Sequence, residues 1–109
     1  RRQRQMCIRD SAERYAEGTC LDISGGGMRF VGRKMIETGI KLLLIFQIVV
    51  GGKEIKFRLP ATVRMSFSLP NDSTNYEHRV EFENISKEYR EILIKYIFEE
   101  ERMMRKSAK

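Results

Sequence analysis

The chain has no tryptophan, one histidine, two cysteines and two prolines among its 109 residues. Each shortage closes off a class of function. Cys7 and Cys20 cannot build a disulfide framework, and with His78 as the only imidazole they do not make a metal site. Reduced thiols and a cytoplasmic setting are expected, with Cys20 a buried strand residue rather than a reactive one. No apolar run reaches transmembrane length; the longest, Leu42 to Val50, contains Gln47. A signal-peptide pattern is missing. So is an initiator methionine, and the chain reads as a fragment or an excised domain. Walker-type and Rossmann-type glycine motifs are absent. Nothing looks catalytic: His78 has no nucleophile at a recognisable spacing and reads as a strand surface residue.

What is present is charge and alternation. Lys and Arg exceed Asp and Glu to give a net charge of +6, which favours anionic partners. Five arginines stand in residues 1–14, against Asp10 and Glu13. Arginine suits phosphate because its planar fork can grip it in a bidentate way and stack on a base. At this length the chain is one domain with a modest core.

Residues 1–5 read as an exposed arm, and Arg14 to Ile23 as a strand broken by Gly18. Gly25 to Gly27 form a turn and Met28 to Val31 the return strand. Gly39 lies in a second turn. Lys41 to Val50 is a buried strand, and Gly51-Gly52 a hairpin turn. Lys53 to Leu59 alternates polar and apolar residues until Pro60, which suggests a bend or an edge position. Ala61 to Phe67 continues as a strand, and residues 70–75 are a loop by composition. Tyr76 to Glu83 is the last strand, with Val80 and Phe82 on one face and Arg79, Glu81 and Glu83 on the other. Ser86 is a candidate N-cap for a helix over about 86–105. Its stripe of Tyr89, Ile92, Leu93, Tyr96 and Ile97, widened by Ile94 and Phe98, would pack on the barrel mouth. The sum is an all-β fold, a six-stranded antiparallel (split) β-barrel with a C-terminal α-helix. Residues 1–11 would be an N-terminal arm or first strand, and 12–109 the barrel with its helix.

The most informative stretch is Asp22-Ile23-Ser24-Gly25-Gly26-Gly27. A carboxylate and a hydroxyl two residues apart project from one side of extended backbone. Three glycines allow φ > 0 and let a ligand approach the main chain. An acceptor, a donor and a bare turn suit the edge of a nucleobase. The same run is also compatible with an ordinary glycine-rich hairpin.

With the arginine cluster Arg1-Arg2-Gln3-Arg4 upstream, this Asp-x-Ser-x-x-Gly run resembles the PilZ domain, the bacterial receptor for cyclic di-GMP. The resemblance continues through Pro60-Ala61-Thr62-Val63-Arg64. Arg79 to Ser86 and the basic helix after it look like the end of flagellar-brake-type PilZ proteins. It implies a PilZ-type barrel that binds cyclic di-GMP, without catalysis or cofactor. Arg1, Arg2 and Arg4 would hold phosphates and guanine, Asp22 and Ser24 guanine edges and phosphate-side groups, and Gly27 the tight turn. It also implies a role in motility through flagellar motor proteins or an N-terminal neighbouring domain.

The family's Arg-x-x-x-Arg motif is not matched. Gln5 stands four residues after Arg1, and Met6 four after Arg2. Replacing Met6 by arginine would restore the spacing. Read as the codons ATG TGT ATA AGA GAC AG-, Met6 to Ser11 coincide with a transposase end sequence used in preparing sequencing libraries. Gln5 as CAG supplies its two preceding bases. On that reading Gln5 to Ser11 replace a native arginine and part of the first strand. Two other readings stay open: a degenerate PilZ fold kept as a protein-interaction adaptor, and a basic barrel that binds RNA or single-stranded DNA. The last expects exposed aromatics among basic residues, and Phe57 and Phe67 are isolated.

Overall fold

The computed structural model describes residues 4–10 and 12–107, with side chains as far as Met103. Its strands are β1 (Arg4–Asp10), β2 (Tyr15–Ile23), β3 (Gly27–Gly32), β4 (Lys41–Val50), β5 (Lys53–Leu69) and β6 (Asp72–Phe82). One helix follows, α1 (Lys87–Ser107). The strands close into a barrel in the order β1-β2-β3-β6-β5-β4. Every neighbouring pair is antiparallel. This is the six-stranded barrel with a C-terminal helix that the alternation predicts.

The period of two decides which side chains face inward. Along β4, Leu42, Leu44, Phe46, Ile48 and Val50 are all buried, while Gln47 and Val49 face out. Met6 and Ile8 of β1, Met28 and Phe30 of β3, and Val80 and Phe82 of β6 join them. Gly51 and Gly52 adopt φ of 58° and 79°. Two successive positive φ values are what a tight β4–β5 hairpin needs. Gly18 does not break β2. A Cβ there would come within 2.9 Å of Ile8 Cδ1 and 3.2 Å of the Val31 carbonyl, so the missing side chain lets neighbours pack across a continuous strand.

Several expectations are corrected. Arg4 and Gln5 belong to β1 rather than to an exposed arm, whereas Arg1 and Arg2 lie outside the described residues. Pro60 does not interrupt β5. It pairs with Leu43 of β4, while the pairing with β6 reaches only as far as Ala61 opposite Phe82. Its carbonyl accepts the Glu83 N–H at 2.8 Å just past the end of β6. A residue's N–H and C=O share one side of a strand, so the donor that proline lacks would point where no strand remains. The 70–75 loop shrinks to Pro70-Asn71. Asp72 accepts from Thr74 N–H at 3.1 Å and Thr74 Oγ1 at 2.6 Å, and this local bonding opens β6 early.

His78 is the largest departure. It is fully buried, stacked on Phe30 with ring centroids 4.8 Å apart. Its Nε2 accepts the Ile36 N–H at 3.2 Å, and Ser66 Oγ donates to the Ile36 carbonyl. The imidazole thus ties the connection between β3 and β4 to the barrel wall. Desolvation lowers its pKa from the ordinary 6.5 and favours the neutral ring.

Ser86 caps α1 as expected, its hydroxyl accepting the Tyr89 N–H at 3.1 Å. Leu93 and Tyr96 plug the barrel mouth, and Tyr89 meets Phe57 with ring centroids 4.7 Å apart. Ile94 and Phe98 do not widen the buried stripe. They are 42% and 60% exposed, Ile94 lying over Gly25 at the rim of the barrel.

Candidate functional site

The glycine-rich turn between β2 and β3 builds itself from Ser24. Its N–H donates to the Gly27 carbonyl at 2.9 Å. Its hydroxyl accepts the N–H groups of Gly26 at 3.3 Å and Gly27 at 3.1 Å, and donates to the Gly27 carbonyl. Ser24 is therefore a turn-building residue as well as a candidate contact. Positive φ is confined among glycines to Gly39, Gly51 and Gly52, so the turn does not use the conformational freedom expected of Gly25 to Gly27. Gly27 is required for another reason. A Cβ there would lie 2.2 Å from the Val80 carbonyl oxygen, which no side chain can do. Its backbone presses against β6, and the Gly26 carbonyl accepts the Phe82 N–H at 2.8 Å.

A bulge between Cys20 and Asp22 shifts the β2–β3 register and sets Asp22 opposite Arg29. The Asp22 carboxylate is half exposed, 3.8 Å from Arg29 Nη2. Cys20 stays half buried, and desolvation raises its thiol to about 11, which makes it unreactive.

Arg29 also stands opposite Arg79 of β6. Like charges facing across a ladder repel. Here Glu77 Oε2 lies 3.1 Å from Arg29 Nη1 and 3.4 Å from Arg79 Nε, with only 10% of its side chain exposed. Arg79 also lies over the Phe67 ring at 5.8 Å. Arg79 contacts Glu77 through Nε and its side chain is half exposed, so its terminal nitrogens lie outside that ion pair and can serve an anion. Asp22, Ser24, Gly27, Arg29 and Arg79 line one shallow depression of about 190 Å³ on the outer wall.

Of the sequence-level candidates, the structure gathers Asp22, Ser24 and Gly27 there. Arg4 is near but elsewhere. It pairs with Cys20 across β1–β2, yet its Nε donates to Tyr96 OH at 3.0 Å and its guanidinium lies over that ring. It lines a separate cleft of about 690 Å³ along β1 and β4, with Gln47, Val49 and Lys56. Met6, the position that would restore the arginine spacing, is 4% exposed and points into the core. An arginine there would bury an unpaired charge, so that replacement cannot serve as a rescue. Arg29 and Arg79 were not among the candidates. Arg29 could have been found, because Met28 and Phe30 are inward and Arg29, two residues past the motif, must then face out. The partnership with Arg79 depends on strand pairing far apart in sequence.

No helix among the described residues is long and apolar enough to cross a membrane. No curated protein matches the chain by sequence. Among solved structures it is similar to the Bacillus subtilis inhibitor of motility (MotI/DgrA), with a TM-score of 0.75 and 20% identity. That match covers 93% of this chain and 51% of the other, so the chain spans about half the length of that protein. At this identity the likeness is one of fold. The family model for the PilZ domain matches residues 1–99, and with its barrel and glycine-rich turn the chain belongs to the PilZ domain family.

Proposed function

We propose that this chain is a cyclic-di-GMP-binding module, acting in the cytoplasm on motility or surface behaviour through a partner or neighbouring domain. The observation that carries this reading is the outer-wall depression. It joins a carboxylate, two guanidinium groups and a glycine-bared turn. Cyclic di-GMP presents two phosphates and two guanines. A guanine's Watson–Crick edge offers donors that a carboxylate such as Asp22 accepts, while its O6 and N7 accept a fork such as Arg79 or Arg29. Phosphate is held by the same guanidinium chemistry. Ser24 and Gly27 keep the turn low, so the ligand can lie against β2 and β3. The similar Bacillus subtilis protein is an inhibitor of motility, which supports a role of that kind here. The reaction chemistry of an enzyme is not part of this reading, and flagellar motor proteins are its expected downstream partners.

A second reading is favoured by one observation. Arg4 is engaged by Tyr96, and no arginine pair in the N-terminal segment ahead of the glycine-rich motif has the family's spacing. A PilZ fold that has lost its ligand could serve as a protein-interaction adaptor. Titration calorimetry with cyclic di-GMP, GTP and a short oligonucleotide separates these. Saturable heat with cyclic di-GMP alone supports the receptor; none with any of the three leaves the adaptor.

A further inference from the structure

Three glycines stand in the turn between β2 and β3, and the fold requires only one of them. Gly27 is fixed by the Val80 carbonyl. A Cβ at Gly26 would meet nothing within 4 Å, and one at Gly25 would make ordinary contact, 3.8 Å from Arg90 Cγ and from Ile94 Cγ1. Neither glycine adopts a positive φ. Their bareness leaves a low saddle on the barrel rim, with the outer-wall depression on one side and the start of α1 on the other. Arg90 stands on the helix side of that saddle. Its N–H donates to the Ser86 carbonyl at 3.0 Å, and its stem lies over Gly25. The residue is exposed, and among the described residues no carboxylate pairs with its guanidinium. The other arginines near the turn are engaged: Arg29 and Arg79 by Glu77, and Arg4 by Tyr96. The fold uses the Arg90 stem but not its charge. We propose, resting on the receptor reading above, that Arg90 is a phosphate-binding residue of the nucleotide site, met by a ligand that crosses the glycine turn.

Size requires the ligand to leave the depression. At about 190 Å³ it is smaller than the roughly 300–1,000 Å³ of a pocket that encloses a small-molecule ligand. A dinucleotide with one guanine beside Asp22 and Arg79 therefore extends past it. Toward the rim it meets Gly26 and Gly25, where no side chain bars the way. Beyond them Ile94, itself exposed, offers an apolar edge to a ribose or base, and Arg90 offers a complete fork to phosphate. An arginine supplied by α1 thus does part of the work of the missing N-terminal pair. It also ties the helix to the ligand, because Arg90 and Ile94 occupy one face of α1.

Calorimetry of the full chain with cyclic di-GMP tests this, comparing the parent with Asp22→Ala, Arg90→Met and Arg102→Met. Methionine keeps an unbranched stem over Gly25 and removes the charge. Arg90→Met should bind about tenfold more weakly, with a shallower dependence on salt than the parent and an unchanged melting temperature. Arg102→Met removes the same charge from an exposed position further along α1 and should bind like the parent. Parent-like affinity in Arg90→Met, with Asp22→Ala weakened, would overturn the assignment and leave the receptor reading standing. Equal losses in Arg90→Met and Arg102→Met would reduce Arg90 to net charge, and overturn it. A loss accompanied by a lower melting temperature and an unchanged salt dependence would make Arg90 a packing residue, and also overturn it. A parent chain that gives no saturable heat would overturn both readings.

Discussion

Arg29 and Arg79 face each other across β3 and β6, and one nearly buried carboxylate, Glu77, holds both. The arrangement keeps two guanidinium groups side by side on the barrel wall without their mutual repulsion. Glu77 is in contact with both, and the two arginines line the depression beside Asp22.

Arg79→Ala should therefore weaken cyclic-di-GMP binding while leaving the fold intact. Loss of one charge-assisted contact costs about 1.5–3 kcal/mol, roughly ten- to a hundredfold in affinity. Arg79 is half exposed, so the melting temperature should move little. Calorimetry beside a thermal melt checks both parts. A large drop in stability with unchanged affinity would make Arg79 a wall residue only.

Gly27→Ala and Gly26→Ala should separate cleanly. The added Cβ at Gly27 meets the Val80 carbonyl at 2.2 Å, whereas at Gly26 it meets nothing within 4 Å. Relieving such a contact means moving β3 from β6, at a cost of about 1–3 kcal/mol or more. Chemical denaturation should show that loss for Gly27→Ala alone. Equal stability of the two variants would mean the turn is looser than this packing implies.

His78 should make stability depend on pH. Burial lowers its pKa below 6.5, so the unfolded chain binds a proton more readily than the folded one. Its contribution is fully present above about pH 6.5 and is lost as pH falls toward the folded value. Asp10 is held below 3.8 chiefly by the Arg14 N–H, and Asp72 by the Thr74 hydroxyl. Their losses belong to a more acidic range. Melting temperature should fall between about pH 6.5 and pH 5, and His78→Gln should flatten that slope. An unchanged slope in the variant would contradict the assignment.

The barrel was legible in the sequence because its signals are local. Alternation along Lys41–Val50, the Gly51-Gly52 turn and the Ser86 cap each depend on neighbours in the chain. His78 was not legible. The polar–apolar alternation of β6 gives its direction, but the ring is buried because Phe30 and Ile36 close over it from another part of the barrel. The site divides the same way. Asp22, Ser24 and Gly27 form one continuous motif, while Arg29 joins Arg79 only through the β3–β6 register.

The codon reading of Met6 to Ser11 extends back to Arg1. Written with the codons CGT CGG CAG CGT CAG, residues 1–5 would continue the same adapter reading upstream of Met6, so that residues 1–11 would all be adapter-encoded. Arg1, Arg2 and Arg4 are then not native, and the native first strand is expected to carry its own arginines. Amplifying the locus from source DNA and sequencing across codon 11 checks this. The same eleven codons in an unamplified template would refute it.

The central claim is that the Asp22 face binds cyclic di-GMP, and calorimetry of the chain against its Asp22→Ala variant tests it most directly. Salt must be fixed, because contacts to exposed phosphates are screened. The account predicts saturable binding of cyclic di-GMP but not of GTP, weak for want of the paired arginines. In Asp22→Ala that binding should fall roughly tenfold or more, with an unchanged melting temperature. No binding by the parent chain, or equal affinity in the variant, would contradict it.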